Sequence, residues 1–570
     1  MTRRVFPFVL LLLSALSPAT TSPTMAQTGR TPAPARNGMV VSSHYLASEI
    51  GNEVLQNGGN AVDAAVATAF ALAVTLPSAG NIGGGGFLVY HGADGVTTSF
   101  NFREKAPLAA TETMYLDGQG NIRNNSNHEG ALSVGVPGTV AGLELAHKRL
   151  GSKSWAELVE PAVRLAQEGF PSTWDMQGYL EWLESNPDRY PSTSRAFLKP
   201  GNKRYEPGEL WKQPDLAESL KRIRDNGRDG FYKGRTAKLL ADFMKANGGI
   251  ITEEDLARYE AVEQPLIHGT FRGFDVYSMA PPSSGGIALV EMLNILEGYD
   301  LDAMGHNSAA YMHVVTEAMR RAYADRAMHV GDPAFNPNMP VDRLISNAHA
   351  DALRQTINLD RASVSDPTLF NEAYESEETT HFSVVDAAGN AVSLTYTLEN
   401  SYGSSMVVEG AGFLLNNEMG DFNPVPGKTT TTGQIGTPPN LVAPGKRMLS
   451  SMTPTIVAKD GKPVLVIGTP GGRTIINTVL QVVLNVVEHE MNVAQAIEAP
   501  RFHHQWLPNE TIIERWGMSR DTRALYESKG HTVKERGQIG HAMGIYIDYD
   551  EKLLYGASDS RAFDGRAVGH

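Results

Sequence analysis

Two alternating runs, Thr380 to Asp386 and Asn390 to Leu398, stand on either side of Ala387-Ala388-Gly389 and constrain the fold more tightly than any other segment. Alternation of period two marks a strand, and two such runs joined by three residues predict a β-hairpin. A loop built from a type I turn and a left-handed residue needs glycine last, where Gly389 stands. Asp386 then faces Asn390 and, counting outward, Thr379 faces Thr397. Directly opposed Cβ atoms lie about 4.5–5.5 Å apart, within reach of a Thr–Thr hydrogen bond. Thr379, His381 and Ser383 share a face with Ser393, Thr395 and Thr397; Phe382, Val384, Val392, Leu394 and Tyr396 share the other. Periodicity alone predicts one solvated face and one core face.

A cut before Thr379 would give that residue a free α-amine, placing a hydroxyl nucleophile and an amine base on one residue. This is one of the ways threonine is activated for acyl transfer. Asp360 to Glu378 is polar and acidic, and reads as an exposed linker suited to cleavage.

With 570 residues and 41% hydrophobic content the chain can bury a large core, and its length predicts two or more domains. A net charge of −14 argues against nucleic acid or an anionic membrane as the main partner. The absence of cysteine excludes disulfides, thiol catalysis and cysteine metal sites. Arg3 and Arg4, an apolar run from Val5 to Leu16 and Thr24-Met25-Ala26 read as an export signal cleaved after Ala26, hence a periplasmic or secreted protein. That run is shorter than the roughly 20 residues of a membrane span, and no later stretch qualifies. Thr2-Arg3-Arg4-Val5-Phe6 also fits a twin-arginine signal, with the general secretory route favoured.

Thr28 to Arg36 is polar and Pro-rich and reads as a disordered lead-in to the mature fold. Ser43 to Leu55 and Asn60 to Leu76 carry helical patterns, the second capped by Asn60. Gly83 to Gly86 precede strands at Phe87–His91 and Thr97–Phe102. A phosphate loop needs glycines between strand and helix followed by lysine, so close backbone packing is the better reading. Trp155 to Met328 is mostly helical, broken by turns such as Ala280 to Gly286. A strand from Pro463 to Gly468 leads through Thr469-Pro470-Gly471-Gly472 into a helix from Thr474 to Val487, and a strand pair follows near the C-terminus. The adjacent pair His503-His504 lacks the helical spacing of a zinc site, and no metal ligand set is assigned.

Thr379 to Asp386, Thr395-Tyr396-Thr397-Leu398, Leu415-Asn416-Asn417-Glu418-Met419, Leu449-Ser450-Ser451-Met452 and Pro470-Gly471-Gly472 resemble γ-glutamyltranspeptidases in order and spacing. Asn101-Phe102-Arg103-Glu104 and Ala499 to His504 extend the likeness over the chain after the signal. The resemblance implies an α+β fold, a four-layer αββα sandwich of N-terminal-nucleophile hydrolase type. It also implies self-cleavage between Glu378 and Thr379 into associated subunits of residues 27–378 and 379–570.

It further implies Thr379 as nucleophile with its α-amine as base, Thr397 orienting it, and the Gly471 and Gly472 amides holding the oxyanion. Arg103 would pair with the α-carboxylate of a γ-glutamyl donor such as glutathione. Ser450 and Ser451 would add hydroxyls, and Asp421, Glu399 and Glu418 would hold the ammonium. Water, an amino acid or a dipeptide would accept the acyl group, with no cofactor. Many members carry Asn and Gln where this chain has Glu399 and Glu418. Thr432, in the loop Pro424 to Lys446, stands where bacterial lids often have Tyr. Two alternatives are a glutaryl cephalosporin acylase of the same superfamily and a catalytically silent binding relative.

Overall fold

The hairpin lies at the centre of a seven-stranded sheet in a computed structural model that describes residues 30–366, 379–432 and 435–570. The export signal, Glu378 and most of the acidic linker lie outside the described residues. Thr380–Val385 pairs with Ala391–Thr397 in the expected register, Thr380 facing Tyr396 and Val385 facing Ala391. Gly389 takes φ 91°, and its N–H reaches the Asp386 carbonyl at 3.0 Å, closing the turn. Asp386 fastens this end of the hairpin by accepting the Ala61 N–H at 2.9 Å, at the start of helix Ala61–Thr75. A carboxylate there is favoured by the helix dipole.

The first sheet runs Arg566–Gly569, Met39–Ser42, Thr380–Val385, Ala391–Thr397, Gly85–His91, Thr97–Asn101, Val262–Gln264. The second runs Ala33–Ala35, Leu553–Ser558, Met543–Asp548, Lys462–Gly468, Thr455–Lys459, Phe274–Ser278, Ile267–Phe271. Between them lie Met39, Val41, Phe87 and Val385 from one and Ile456, Val466, Met543 and Ile545 from the other. Helices Ala61–Thr75 and Thr139–Leu150 cover the outer face of the first sheet, where Phe382, Val384, Leu394 and Tyr396 are buried. Helices Gly285–Leu296, Ala309–His329 and Thr474–Val487 cover the second. This is the four-layer αββα sandwich.

Asn60 caps its helix with a reciprocal bond from the Asn60 N–H to Asp63. Helix Thr474–Val487 has the bounds the pattern predicts. The glycine run does pack closely: a Cβ on Gly84 would collide with the Thr397 carbonyl, and one on Gly86 with the Thr395 carbonyl.

Two expectations are corrected: part of the lead-in is ordered, Ala33–Ala35 pairing with Leu553–Ser558 at the edge of the second sheet, and the hairpin has no solvated face. His381, Ser383, Ser393 and Thr395 are buried between the sheets. Ser383 donates to the Met543 carbonyl at 3.0 Å. Ser393 donates to the Ile467 carbonyl and accepts the Thr455 N–H, each at 3.0 Å. Hydroxyls that find backbone partners on a facing sheet are buried at little cost. Burial holds the His381 imidazole neutral, its pKa lowered to about 3, while its nitrogens pair with Thr395 and Ser383.

Candidate active site

Thr379 immediately precedes the first hairpin strand, and extending the ladder by one residue sets it opposite Thr397. Both line a small chamber with Arg103, Glu399, Glu418, Asp421, Ser450, Ser451 and Gly472. The chamber encloses about 20 Å³, room for about one water. Gly471 lines an adjoining recess of about 120 Å³. Nine of the ten site residues expected within the described chain therefore meet around one space, with the tenth next to it. Glu378 lies outside the described residues.

Each wall has a local cause. Thr397 ends its strand, where its hydroxyl accepts the Glu399 N–H at 2.9 Å. Asn81 donates to the Thr397 carbonyl at 2.9 Å and accepts the Gly84 N–H at 2.9 Å, which ties the glycine run to the strand end. Glu418 and Asp421 sit on one 3-10 turn, Glu418–Asp421. The Asn416 carboxamide oxygen accepts the Glu418 N–H at 3.1 Å, steadying the start of that turn. Ser450 pairs with the turn after Pro282: the Ser450 N–H donates to the Pro282 carbonyl, and Ser284 donates to the Ser450 carbonyl. Gly471 and Gly472, at φ 131° and 55°, lie just before helix Thr474–Val487. Amides there carry the positive end of the helix dipole.

The charges are unequal. Buried Arg103 pairs with Glu418 and Asp421, approaches Glu104 at 3.6 Å and donates to the Leu449 carbonyl at 3.0 Å. Burial opposes its charge, but Glu418, Asp421 and Glu104 outweigh it and raise its pKa. Burial pushes the Glu104 carboxyl up to about 8 against the pull of Arg103, and pushes Glu418 well above the usual carboxylate range. His128 stands 3.5 Å from Glu399; burial disfavours its imidazolium, yet the carboxylate raises its pKa.

Three supporting residues carry no assignment from the sequence. Arg326, buried on helix Ala309–His329, donates to Ser451 Oγ at 3.0 Å and Ser284 Oγ at 2.8 Å. Asn440 donates to the Asp421 carbonyl at 2.6 Å and accepts the Leu449 N–H at 2.9 Å, joining the Pro424–Lys446 loop to two site walls. Glu104 follows Arg103. Thr432 is exposed on the loop. His503 and His504 are buried and face different partners, His503 facing Asn477 and Gln505 while His504 accepts the Trp506 N–H.

The family model described as gamma-glutamyltranspeptidase matches residues 47–569. The glutathione hydrolase proenzyme of Escherichia coli (strain K12) is 45% identical over 541 residues, covering 95% of this chain and 93% of its own. The crystal structure of cephalosporin acylase from Bacillus halodurans aligns with a TM-score of 0.84 at 25% identity, covering 98% of this chain and 99% of that one. The Helicobacter pylori gamma-glutamyltranspeptidase structure aligns with a TM-score of 0.56 at 45% identity, covering 59% of this chain and 95% of that one. The chain belongs to the gamma-glutamyltranspeptidase family.

Proposed function

We propose that this chain is an exported precursor that cuts itself between Glu378 and Thr379 and then hydrolyses or transfers the γ-glutamyl group of glutathione and related amides. Thr379 Oγ attacks the Glu378 carbonyl, the chain shifts from nitrogen to oxygen, and water hydrolyses the ester. The freed α-amine, with an ordinary pKa of about 7.7–8.0, then takes the Thr379 hydroxyl proton as Oγ attacks the donor's γ-amide. The leaving amine departs with that proton, and the γ-glutamyl ester passes to water or an amine. The Gly471 and Gly472 amides hold the oxyanion, and Thr397 orients Oγ.

The observation that carries this reading is the Arg103 cluster beside Thr379. A free α-amino-acid end inserted there exchanges like for like: its carboxylate takes Arg103, and its ammonium takes Glu418, Asp421 and Glu399. Ser450 and Ser451, the latter braced by Arg326, complete the carboxylate's donors. A glutaryl donor brings no ammonium and leaves buried carboxylates unmatched. The acylase reading keeps one support, the full-length structural likeness to cephalosporin acylase.

The test compares γ-glutamyl and glutaryl anilides on wild type and Arg103→Ala. The γ-glutamyl substrate is the better for wild type, and the substitution raises its KM roughly ten- to hundredfold, the value of a charged hydrogen bond or two. Preference for the glutaryl compound would make the chain an acylase.

A further inference from the structure

Away from the reaction chamber, Glu291, Asp325 and His349 meet where three helices pack behind the second sheet. They come from Gly285–Leu296, Ala309–His329 and Asn347–Arg354 respectively. One oxygen of each carboxyl and one imidazole nitrogen lie within 4.8 Å of one another. Glu291 and Asp325 are buried, and no donor among the described residues reaches either oxygen of Glu291. Burial, with the facing Asp325, pushes the Glu291 carboxyl well above the usual carboxylate range. Two carboxyls facing each other away from water need either a shared proton or a cation between them.

The histidines favour the cation. His349 Nε2 meets Asp325 Oδ2 at 2.5 Å, and His329 Nε2, one turn beyond Asp325 on its own helix, lies 3.9 Å from Asp325 Oδ1. A proton shared by two carboxyls requires neither of them. Burial lowers the His329 pKa, so that imidazole is neutral near neutral pH. Arg343, exposed at the rim, reaches His329 Nε2 at 3.1 Å and His349 Nδ1 at 3.3 Å. The other histidine–carboxyl cluster, His313, Glu317 and His531, has no such need. There Arg320 at 3.2 Å and Arg321 at 2.7 Å already meet Glu317, and the two imidazoles bond each other at 2.7 Å.

We propose that Glu291, Asp325 and His349 hold one divalent transition-metal ion of the zinc type, with water in the fourth position. Two carboxylate oxygens and an imidazole nitrogen suit zinc, which binds them at about 2.0–2.2 Å. Tetrahedral geometry then sets ligand atoms about 3.3 Å apart, a spacing that side-chain rotation reaches here. The ion replaces the proton between the two carboxyls, which leaves to solvent. His349 binds through Nε2 with its own proton moved to Nδ1, and Arg343 turns outward. His349, its side chain 14% exposed, gives the ion its way in. The bound ion ties three helices together. Asp325 precedes Arg326, which holds Ser284 Oγ and Ser451 Oγ, so the ion stiffens the wall behind the chamber without entering the reaction.

The test takes the full chain, dialysed against EDTA, and titrates it with zinc chloride, read by isothermal titration calorimetry and by thermal unfolding. Wild type takes up about one zinc ion per chain, and its unfolding midpoint rises with zinc, since an ion bound only by the native state stabilises that state. Glu291→Gln and His349→Ala each weaken the binding by about a hundredfold or more and abolish the rise. His349 stands at the rim, so its variant decides the matter if Glu291→Gln does not fold. Wild type that takes up no zinc, or either variant keeping wild-type affinity, would overturn the site. So would a wild-type midpoint that zinc leaves unmoved while Glu291→Gln raises it, since the carboxyls would then share a proton. None of these readouts depends on the acyl-transfer reading.

Discussion

Arg103 has more carboxyl neighbours than one cation can hold ionised, and at the residue scale burial and that imbalance raise the pKa values of Glu104 and Glu418. Glu104, Glu418 and Asp421 all act on it from buried or nearly buried positions. Glu104, its pKa raised to about 8 by burial, holds its proton more tightly in the native state than unfolded, where a glutamate titrates near 4.3. Its contribution to stability is full below the unfolded value and is lost as pH rises through about 8. Thermal unfolding of the uncleaved Thr379→Ala chain therefore shows a midpoint that falls between pH 5 and pH 8, and Glu104→Gln flattens that fall; an unchanged slope would mean Glu104 is ionised throughout. The residues proposed for the site are legible in the sequence because their motifs follow the order of the family. Arg326 and Asn440 are not, since Arg326 reaches Ser451 125 residues along the chain and Asn440 reaches the Asp421 carbonyl 19 residues away, each from an otherwise ordinary helix or loop.

At the scale of elements, the site is assembled where strands end and a helix begins. Alternation and Gly389 make the hairpin and its register readable, but alternation says only that the two faces differ. It does not say that a second sheet lies over the hydroxyl face and supplies carbonyls to Ser383 and Ser393. The turn before helix Thr474–Val487 is equally exacting. A Cβ on Gly471 would sit 2.5 Å from Thr474 Oγ1 and 3.3 Å from the Gly540 Cα, at a φ that side chains disfavour. Gly471→Ala shifts the amides proposed to hold the oxyanion. It should lower kcat by about 10²–10³ with little change in donor KM, as loss of an oxyanion donor does. A change confined to KM, measured by steady-state kinetics, would remove these amides from the transition state.

At the scale of the molecule, the proposed cut leaves neither product with a whole sheet. Residues after 379 supply the hairpin and Arg566–Gly569 to the first sheet and four strands to the second, and residues before the cut supply the rest. The hairpin strand Thr380–Val385 pairs with Met39–Ser42, and Ala391–Thr397 with Gly85–His91, so separation breaks ladders in a buried core. The fragments should co-elute in native size-exclusion chromatography and separate only in denaturant; free small fragment under native conditions would refute the shared-sheet account. The length suggests several domains, yet the two sheets share an inner core to which segments from both ends of the chain contribute, which periodicity cannot reveal.

The central claim is that Thr379 becomes a chain terminus by its own chemistry, and it is tested most directly by intact mass and N-terminal sequencing of purified wild type beside Thr379→Ala. The account predicts two fragments from wild type, the smaller beginning at Thr379, and one uncut chain from the variant. A single uncut wild-type chain with amidase activity, or a variant cleaved at the same bond, would contradict it.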